Sequence, residues 1–316
     1  MLATHVIAAH SSRRSARRSV AAIVRTASWQ HGSAAGVVAG VLCIAPLLFG
    51  GIAACGRAGQ AGPIPWQALE AGFEHAHVEA KIGAGFAPVP MHLLRIDPRR
   101  FALEVVRAAD LGRPLADAAA FRIARGGLAA INAGYFDPEY RPLGLLVSGG
   151  HRLSRLRKVD HGVFAIAGGR PSIAHARQFV SPVDLEFAVE CGPRLIVDGV
   201  TLTFKRHDRA RRVVIGHDSR DRVVIAVTAG VIRLEELSAF LVRPTEQGGP
   251  ALQGALNLDG GSSTMLDLDA NGVHEAIRSA VQVPVGLVVV GRGRPQVVDT
   301  TPPVAVTPTD AANTQL

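Results

Sequence analysis

Residues 255–266 read ALNLDGGSSTML. A short apolar run ends in Asp259, two glycines follow, and Ser262, Ser263 and Thr264 supply hydroxyls before apolar residues resume. The run has the length of a strand, and Gly260-Gly261 is a place to turn the chain. A carboxylate at a strand end, beside glycine amides and hydroxyls, leaves three readings open: a plain turn, a phosphate or sugar cradle, or a nucleophile site. Two more segments share the design of a strand ending in glycine next to polar groups. They are INAGYFDPEYRPLGLLVSGG (131–150) and ECGPRLIVDG (190–199).

Outward from these segments, β signals dominate. MHLLRI (91–96) and FALEVV (101–106) flank the turn sequence Asp97-Pro98-Arg99-Arg100 and read as a hairpin. Strands are expected at 128–132, 143–148, 162–167, 194–199, 212–216, 222–230, 255–259 and 283–291. Pro114 opens a helix over 114–125, and Leu234, Leu237, Phe240 and Leu241 recur at helical spacing in a second over 232–243. Many strands with few helices predict an α+β fold: one β-rich, mixed-sheet domain.

The ordered domain is expected over 66–293. Residues 1–55 read as an export leader: arginine-rich at first, then apolar, with no Asp, Glu, Lys or Arg between Arg25 and Arg57. The leader ends in Ile52-Ala53-Ala54-Cys55, which resembles a bacterial lipoprotein processing site with Cys55 as the lipidated residue. An uncleaved membrane helix and ordinary secretion are the alternatives, and the true start lies at Met1 or downstream of it. The expected location is outside the cytoplasm, in the cell envelope, with a membrane partner through the lipid-bearing N-terminus. Residues 56–65 (GRAGQAGPIP) read as a linker, and the Pro- and Thr-rich stretch 294–316 as a disordered tail.

Of the net charge of +8, five units come from arginines of the leader. The mild excess left, with 5% aromatics and no interleaved basic and aromatic tract, argues against a nucleic-acid partner. Once Cys43 and Cys55 are assigned to the leader, Cys191 stands alone, so no disulfide framework is expected and the thiol reads as a small buried hydrophobe. Asp267-Leu-Asp269-Ala-Asn271-Gly272 matches the start of a calcium loop, but Arg278 stands where the bidentate glutamate belongs; Asn271-Gly272 reads instead as a hairpin turn. No metal or cofactor site is expected. His217 and His161 read as surface residues, since His161 and Asp160 are adjacent and point to opposite faces of an extended chain.

Taken in order, the three glycine segments resemble the phosphodiester glycosidase family, which includes the lysosomal uncovering-enzyme domain. The resemblance rests on Asn132-Ala133-Gly134-Tyr135-Phe136 with Pro142-Leu143-Gly144-Leu145, and on Gly192-Pro193-Arg194-Leu195 leading to Gly199. It continues through Arg212 to Gly216, Gly230 followed by LEELSAFL, and Asn257-Leu258-Asp259-Gly260-Gly261-Ser262-Ser263. Ala133 and Tyr135 stand where the family has glycine and phenylalanine, and the match spans about 90–291.

The resemblance implies a hydrolase that cleaves the bond between a sugar's anomeric carbon and a phosphodiester. Because phosphate leaves as a stable anion, such a site needs one carboxylate for the developing sugar cation and cations or amides for the phosphate. Asp259 is the first candidate carboxylate and Glu190 the second. Arg194 and Arg212 are candidates to grip phosphate. Asn132, Ser262 and Ser263 are candidates to bind oxygens, Tyr135 or Phe136 to floor a sugar ring, and Gly134, Gly260 and Gly261 to admit the substrate. The partner would be a sugar-phosphate or polysaccharide. A glycan hydrolase acting without phosphate, and a non-catalytic glycan-binding surface lipoprotein, stay open as alternatives.

Overall fold

A computed structural model describes residues 62–81, 87–205 and 207–293. The export leader with Cys55, most of the linker and the tail lie outside the described residues. In chain order the first strands are β1 (Gln67–Glu70), β2 (Phe73–Ala80), β3 (Val89–Ile96) and β4 (Phe101–Arg107), followed by helix α1 (Ala118–Ala124). Next come β5 (Ala129–Asn132), β6 (Leu146–Ser148), β7 (His151–Ser154), β8 (Gly162–Ala167), β9 (Arg170–His175) and β10 (Leu185–Cys191). Strands β11 (Arg194–Val197), β12 (Val200–Thr201), β13 (Val213–Asp218) and β14 (Val223–Thr228) lead to helix α2 (Leu234–Val242). The chain closes with β15 (Leu252–Asn257), β16 (Leu266–Ala270), β17 (Val273–Ile277) and β18 (Val285–Gly291).

These strands form three sheets. One has eight strands in the order β1-β2-β3-β14-β13-β15-β11-β12; the others have five each, β7-β6-β10-β8-β9 and β17-β16-β5-β18-β4. All three turn one face onto a common core, which draws Ile215 and Leu256 from the first, Phe164 and Val189 from the second, and Ile131 and Leu287 from the third. Period-two alternation sends the intervening residues the other way. On the far face of the large sheet, Leu195, Val214 and Ala226 pack with Leu237, Phe240 and Leu241 of α2. On the far face of the third sheet, Ala130 and Val288 pack against Phe121 of α1. The structure is α+β and mostly sheet, as the sequence predicts.

Local signals behave differently from long-range ones. The Asp97–Arg100 turn forms, with Arg100 N–H and Phe101 N–H both donating to Asp97 O at 3.0 Å. Its flanking strands do not make the expected hairpin. β3 pairs with β2 and β14, while β4 pairs with β18 in another sheet. Hairpins with aligned strands favour turns with positive φ at their centre, and none of residues 97–100 has one. The first helix begins at Ala118 rather than Pro114, because Asp117 caps it by accepting Ala120 N–H at 2.9 Å and Ala116 bridges to Val283 instead. The strand expected over 194–199 stops at Val197, where Asp198 and Gly199, at φ 51° and 73°, turn the chain into β12. Asn271 and Gly272 do make the β16–β17 hairpin, at φ 49° and 77°.

Candidate functional site

Where β5, β10 and β15 end, the three glycine segments meet. Asn257 N–H donates to Pro193 O at 3.0 Å, and Asp259 N–H donates to Ala133 O at 3.3 Å. The buried Asn132 side chain completes the join. Its amide donates to Asp259 O at 2.7 Å and its oxygen accepts Met265 N–H at 3.1 Å. Asn132 thus holds the backbone on both sides of the turn, and both ends of its amide are engaged by protein.

Asp259 is half-buried at this junction. Burial pushes its carboxyl above the usual aspartate range, against the opposing effects of hydrogen bonds from Ser263 and the Gly260 amide. The turn itself is a positioning device. Gly260 N–H donates to Asp259 Oδ1 at 3.0 Å, Gly261 N–H to Arg211 O at 2.8 Å, and Ser263 N–H to Gly260 O at 3.2 Å. Those three amides are spent within the protein, so the expectation that the turn offers a bed of amides to an anion does not hold for them. Gly260 also lies against the chain: a Cβ there would come within 2.8 Å of Arg211 O. Ser262 is exposed beside the turn, and Ser263 is buried beneath it.

Tyr135 reaches into the junction and donates to Gly192 O at 2.5 Å; Asn257 donates to the same carbonyl at 3.1 Å. The Gly192–Pro193 peptide that presents this carbonyl is cis. Burial raises the Tyr135 phenol well above its ordinary range. Cys191 and Asp259 add to that rise, whereas Asn257 and the Arg212 charge oppose it. Tyr135, Asp259 and Arg212 therefore share one electrostatic neighbourhood. Arg212 is anchored within it: its Nη2 donates to Asp208 O at 2.8 Å and Oδ2 at 3.1 Å, and its Nε to Ile232 O at 3.3 Å. Arg194, by contrast, is half-exposed and forms an ion pair with no carboxylate among the described residues; its stem crosses Gly162. Phe136 turns the opposite way from Tyr135 and packs beside the α1 cluster, its ring 6.4 Å from that of Tyr140.

Glu190 lies deeper than a residue that meets substrate. Its side chain is 0% exposed. Oε2 accepts the amides of Leu145 at 2.8 Å and Arg157 at 2.9 Å. The backbone of the 131–150 segment is laid directly on it: a Cβ on Gly134 or on Gly144 would come within 2.9 Å of Glu190 O. These glycines admit another strand, not a ligand. Cys191 next door is buried, and burial pushes its thiol up to about 12, which keeps it protonated and unreactive.

Two residues of this cluster were not singled out from the sequence. Asn257 was legible only as part of the quoted motif. His161, expected at the surface, instead packs against Gly192 with its ring 5.8 Å from that of Tyr135 and its Nδ1 3.8 Å from Glu190 Oε1. No local signal marks it, because the partners come from segments 26 to 31 positions away. Among the described residues no group of three His, Cys, Asp or Glu side chains is placed to hold a metal ion, and no helix is long and apolar enough to cross a membrane.

A half-buried carboxylate, a phenol and a histidine at one strand-end junction can stabilise a developing cation and handle a proton in partial shelter from water. The solved catalytic domain of zebrafish N-acetylglucosamine-1-phosphodiester alpha-N-acetylglucosaminidase, auto-inhibited by its pro-peptide in that structure, has a similar fold. Its TM-score is 0.55, at 16% identity, over 74% of this chain and 87% of that one. An uncharacterized protein of Escherichia coli (strain K12), YigE, is 32% identical over 80 residues. The chain spans about a third of the length of that curated relative (32%), and the match takes in 22% of this chain. The sequence profile of the phosphodiester glycosidase family matches residues 125–290, a span that holds every site residue named above, and the chain belongs to that family.

Proposed function

We propose that this protein is a hydrolase that cleaves a sugar-1-phosphodiester, releasing the sugar and leaving a phosphomonoester. The observation that carries the reading is Asp259: a half-buried carboxylate held by the Gly260 amide of its own turn, at the junction where that turn meets the 131–150 and 190–199 segments. In the reaction the bond from anomeric carbon to phosphate oxygen breaks and positive charge spreads over the sugar ring. Asp259 stabilises that charge. Arg194, half-exposed and paired with no carboxylate among the described residues, is the cation that grips the anionic group, whereas Arg212 is held by Asp208 and Ile232. The export leader and the Ile52-Ala53-Ala54-Cys55 sequence support an envelope setting, with a cell-surface or exopolysaccharide phosphodiester as substrate and a lipid on Cys55 as anchor.

The test is release of reducing sugar from a panel of sugar-1-phosphodiesters by the wild-type protein and by Asp259→Asn. Release by wild type that drops on the order of 10³-fold in the folded variant supports the reading. Equal release by both sinks the role of Asp259. The engagement of Arg212 by Asp208 and Ile232 favours one second reading, a glycan hydrolase acting without phosphate. Arg194→Ala separates the two: it lowers turnover of phosphodiesters under the first reading and leaves glycosides lacking phosphate to be cleaved as before under the second.

A further inference from the structure

Glu190 Oε1 and His161 Nδ1 are both sealed from solvent, and neither has a hydrogen-bond partner. They lie 3.8 Å apart, beyond hydrogen-bond length, with nothing else assigned to either atom. Unsatisfied buried polar atoms are costly and uncommon. Two of them facing each other at one junction form an incomplete pair that a small ring rotation would close. The other carboxylate oxygen is locked by the Leu145 and Arg157 amides, so the Glu190 headgroup is fixed and the imidazole is the moving part. His161 keeps 28% of its side chain exposed although Nδ1 is buried. Nε2, unlike Nδ1, is not among the sealed atoms without a partner, and its neighbour Cδ2 lies against Gly192, with the Tyr135 ring 5.8 Å from the imidazole.

We infer that Glu190 and His161 form a carboxylate–histidine pair in which Glu190 holds Nδ1–H and His161 Nε2 takes the proton of the attacking water. This rests on the hydrolase reading above and revises the place of Glu190 within it. Glu190 is a positioning residue, and His161 is the group that meets the reacting water. In the step, the water oxygen bonds to the anomeric carbon as the carbon–oxygen bond to phosphate breaks. The electron pair of that bond leaves on the phosphomonoester, and the water proton passes to Nε2 and from there to solvent. A phosphate leaving group needs no proton donor, so one base is sufficient and Asp259 keeps its electrostatic role.

The test joins kinetics to a measurement that needs no turnover. Nitrogen-15 NMR of the imidazoles, with His161 assigned by its loss in His161→Gln, reads the tautomer directly. Wild type is expected to carry Nδ1–H. Glu190→Gln keeps an oxygen for the Leu145 and Arg157 amides but turns an NH₂ donor towards Nδ1, so the proton is expected to move to Nε2. In sugar release, His161→Gln and Glu190→Gln are each expected to lower kcat on the order of 100-fold, and added imidazole to restore part of the activity of His161→Ala. A wild-type Nε2–H tautomer, a tautomer unchanged in Glu190→Gln, or wild-type kcat in folded His161→Gln overturns the inference. Wild type inactive on the whole panel overturns the hydrolase reading instead, and the tautomer result still decides whether the pair exists.

Discussion

Asp259 is costly where it stands. Its carboxyl is pushed up by burial, which means that the folded protein binds that proton more tightly than the unfolded chain does. Such a group favours folding below the ordinary aspartate value of about 3.9 and loses that contribution as pH rises through its elevated folded value. At neutral pH its charge therefore works against folding. Asp259→Asn is expected to unfold at a temperature equal to or above that of wild type at pH 7, with the gain disappearing below about pH 3.9. Thermal melts at the two pH values check this. A variant that is dead in catalysis yet no less stable marks a residue kept for function. Gly144 represents the opposite case, where a residue serves structure alone. A Cβ there meets Glu190 O at 2.9 Å and Glu190 Cβ at 3.0 Å. Gly144→Ala is expected to cost about 2 kcal/mol or more in urea unfolding and to disturb the Glu190 carboxylate that it covers.

At the scale of elements, the edge of the large sheet holds an acid-sensitive joint. His75 on β2 and His92 on β3 are buried, with His75 Nε2 3.0 Å from His92 Nδ1. One ring donates and the other accepts, a contact that two neutral imidazoles can make. Burial pushes the His92 imidazole down to about 4, assisted by His75 and His77 and opposed by Glu275 on β17; His75 is lowered by burial as well. For a base with a depressed folded pKa, the unfolded state binds the proton first as pH falls. Stability is thus full above about 6.5 and is lost towards the folded value near 4. The expected loss between pH 7 and pH 4.5 is on the order of 2 kcal/mol from His92. His92→Gln, which can still hydrogen bond, is expected to flatten that limb. Urea midpoints at both pH values check it. The same strands show why elements were missed in the sequence. FEHAHVEA of β2 carries a buried histidine, His75, that mimics a solvent face, and LEFAVEC of β10 is interrupted by Glu186 and by Glu190, which is buried only because two amides from other segments meet it.

Across the whole molecule, one core joins the three sheets. Ile131, Val189 and Ile225 come from β5, β10 and β14, one strand of each sheet, and belong to the same buried cluster. No sheet can lose its inner face without exposing the other two. The amide protons of these three strands are therefore expected to exchange with one shared free energy, equal to that of global unfolding. Native-state hydrogen exchange over a range of denaturant checks this; a sheet that opens well below the others would show that the core is divisible. The site inherits its rigidity from this arrangement, since Asp259, Tyr135 and Glu190 sit where the ends of β15, β5 and β10 converge.

What the sequence determined by itself was local chemistry. Short apolar runs located strands such as 162–167, and Asn271-Gly272 located a hairpin, because run length and turn geometry depend only on neighbours. The glycine segments and Asp259 were legible for the same reason, as compact signals within a dozen residues. Tertiary structure decided everything that needed a distant partner. It parted β3 from β4, since strand pairing is set by faces that fit and not by proximity in the chain. It showed that Gly134 and Gly144 make room for Glu190, that Arg212 is tied to Asp208, and that His161 belongs at the junction. A side chain's role depends on burial and on which atoms face it, and those are fixed only when the three sheets close on their common core.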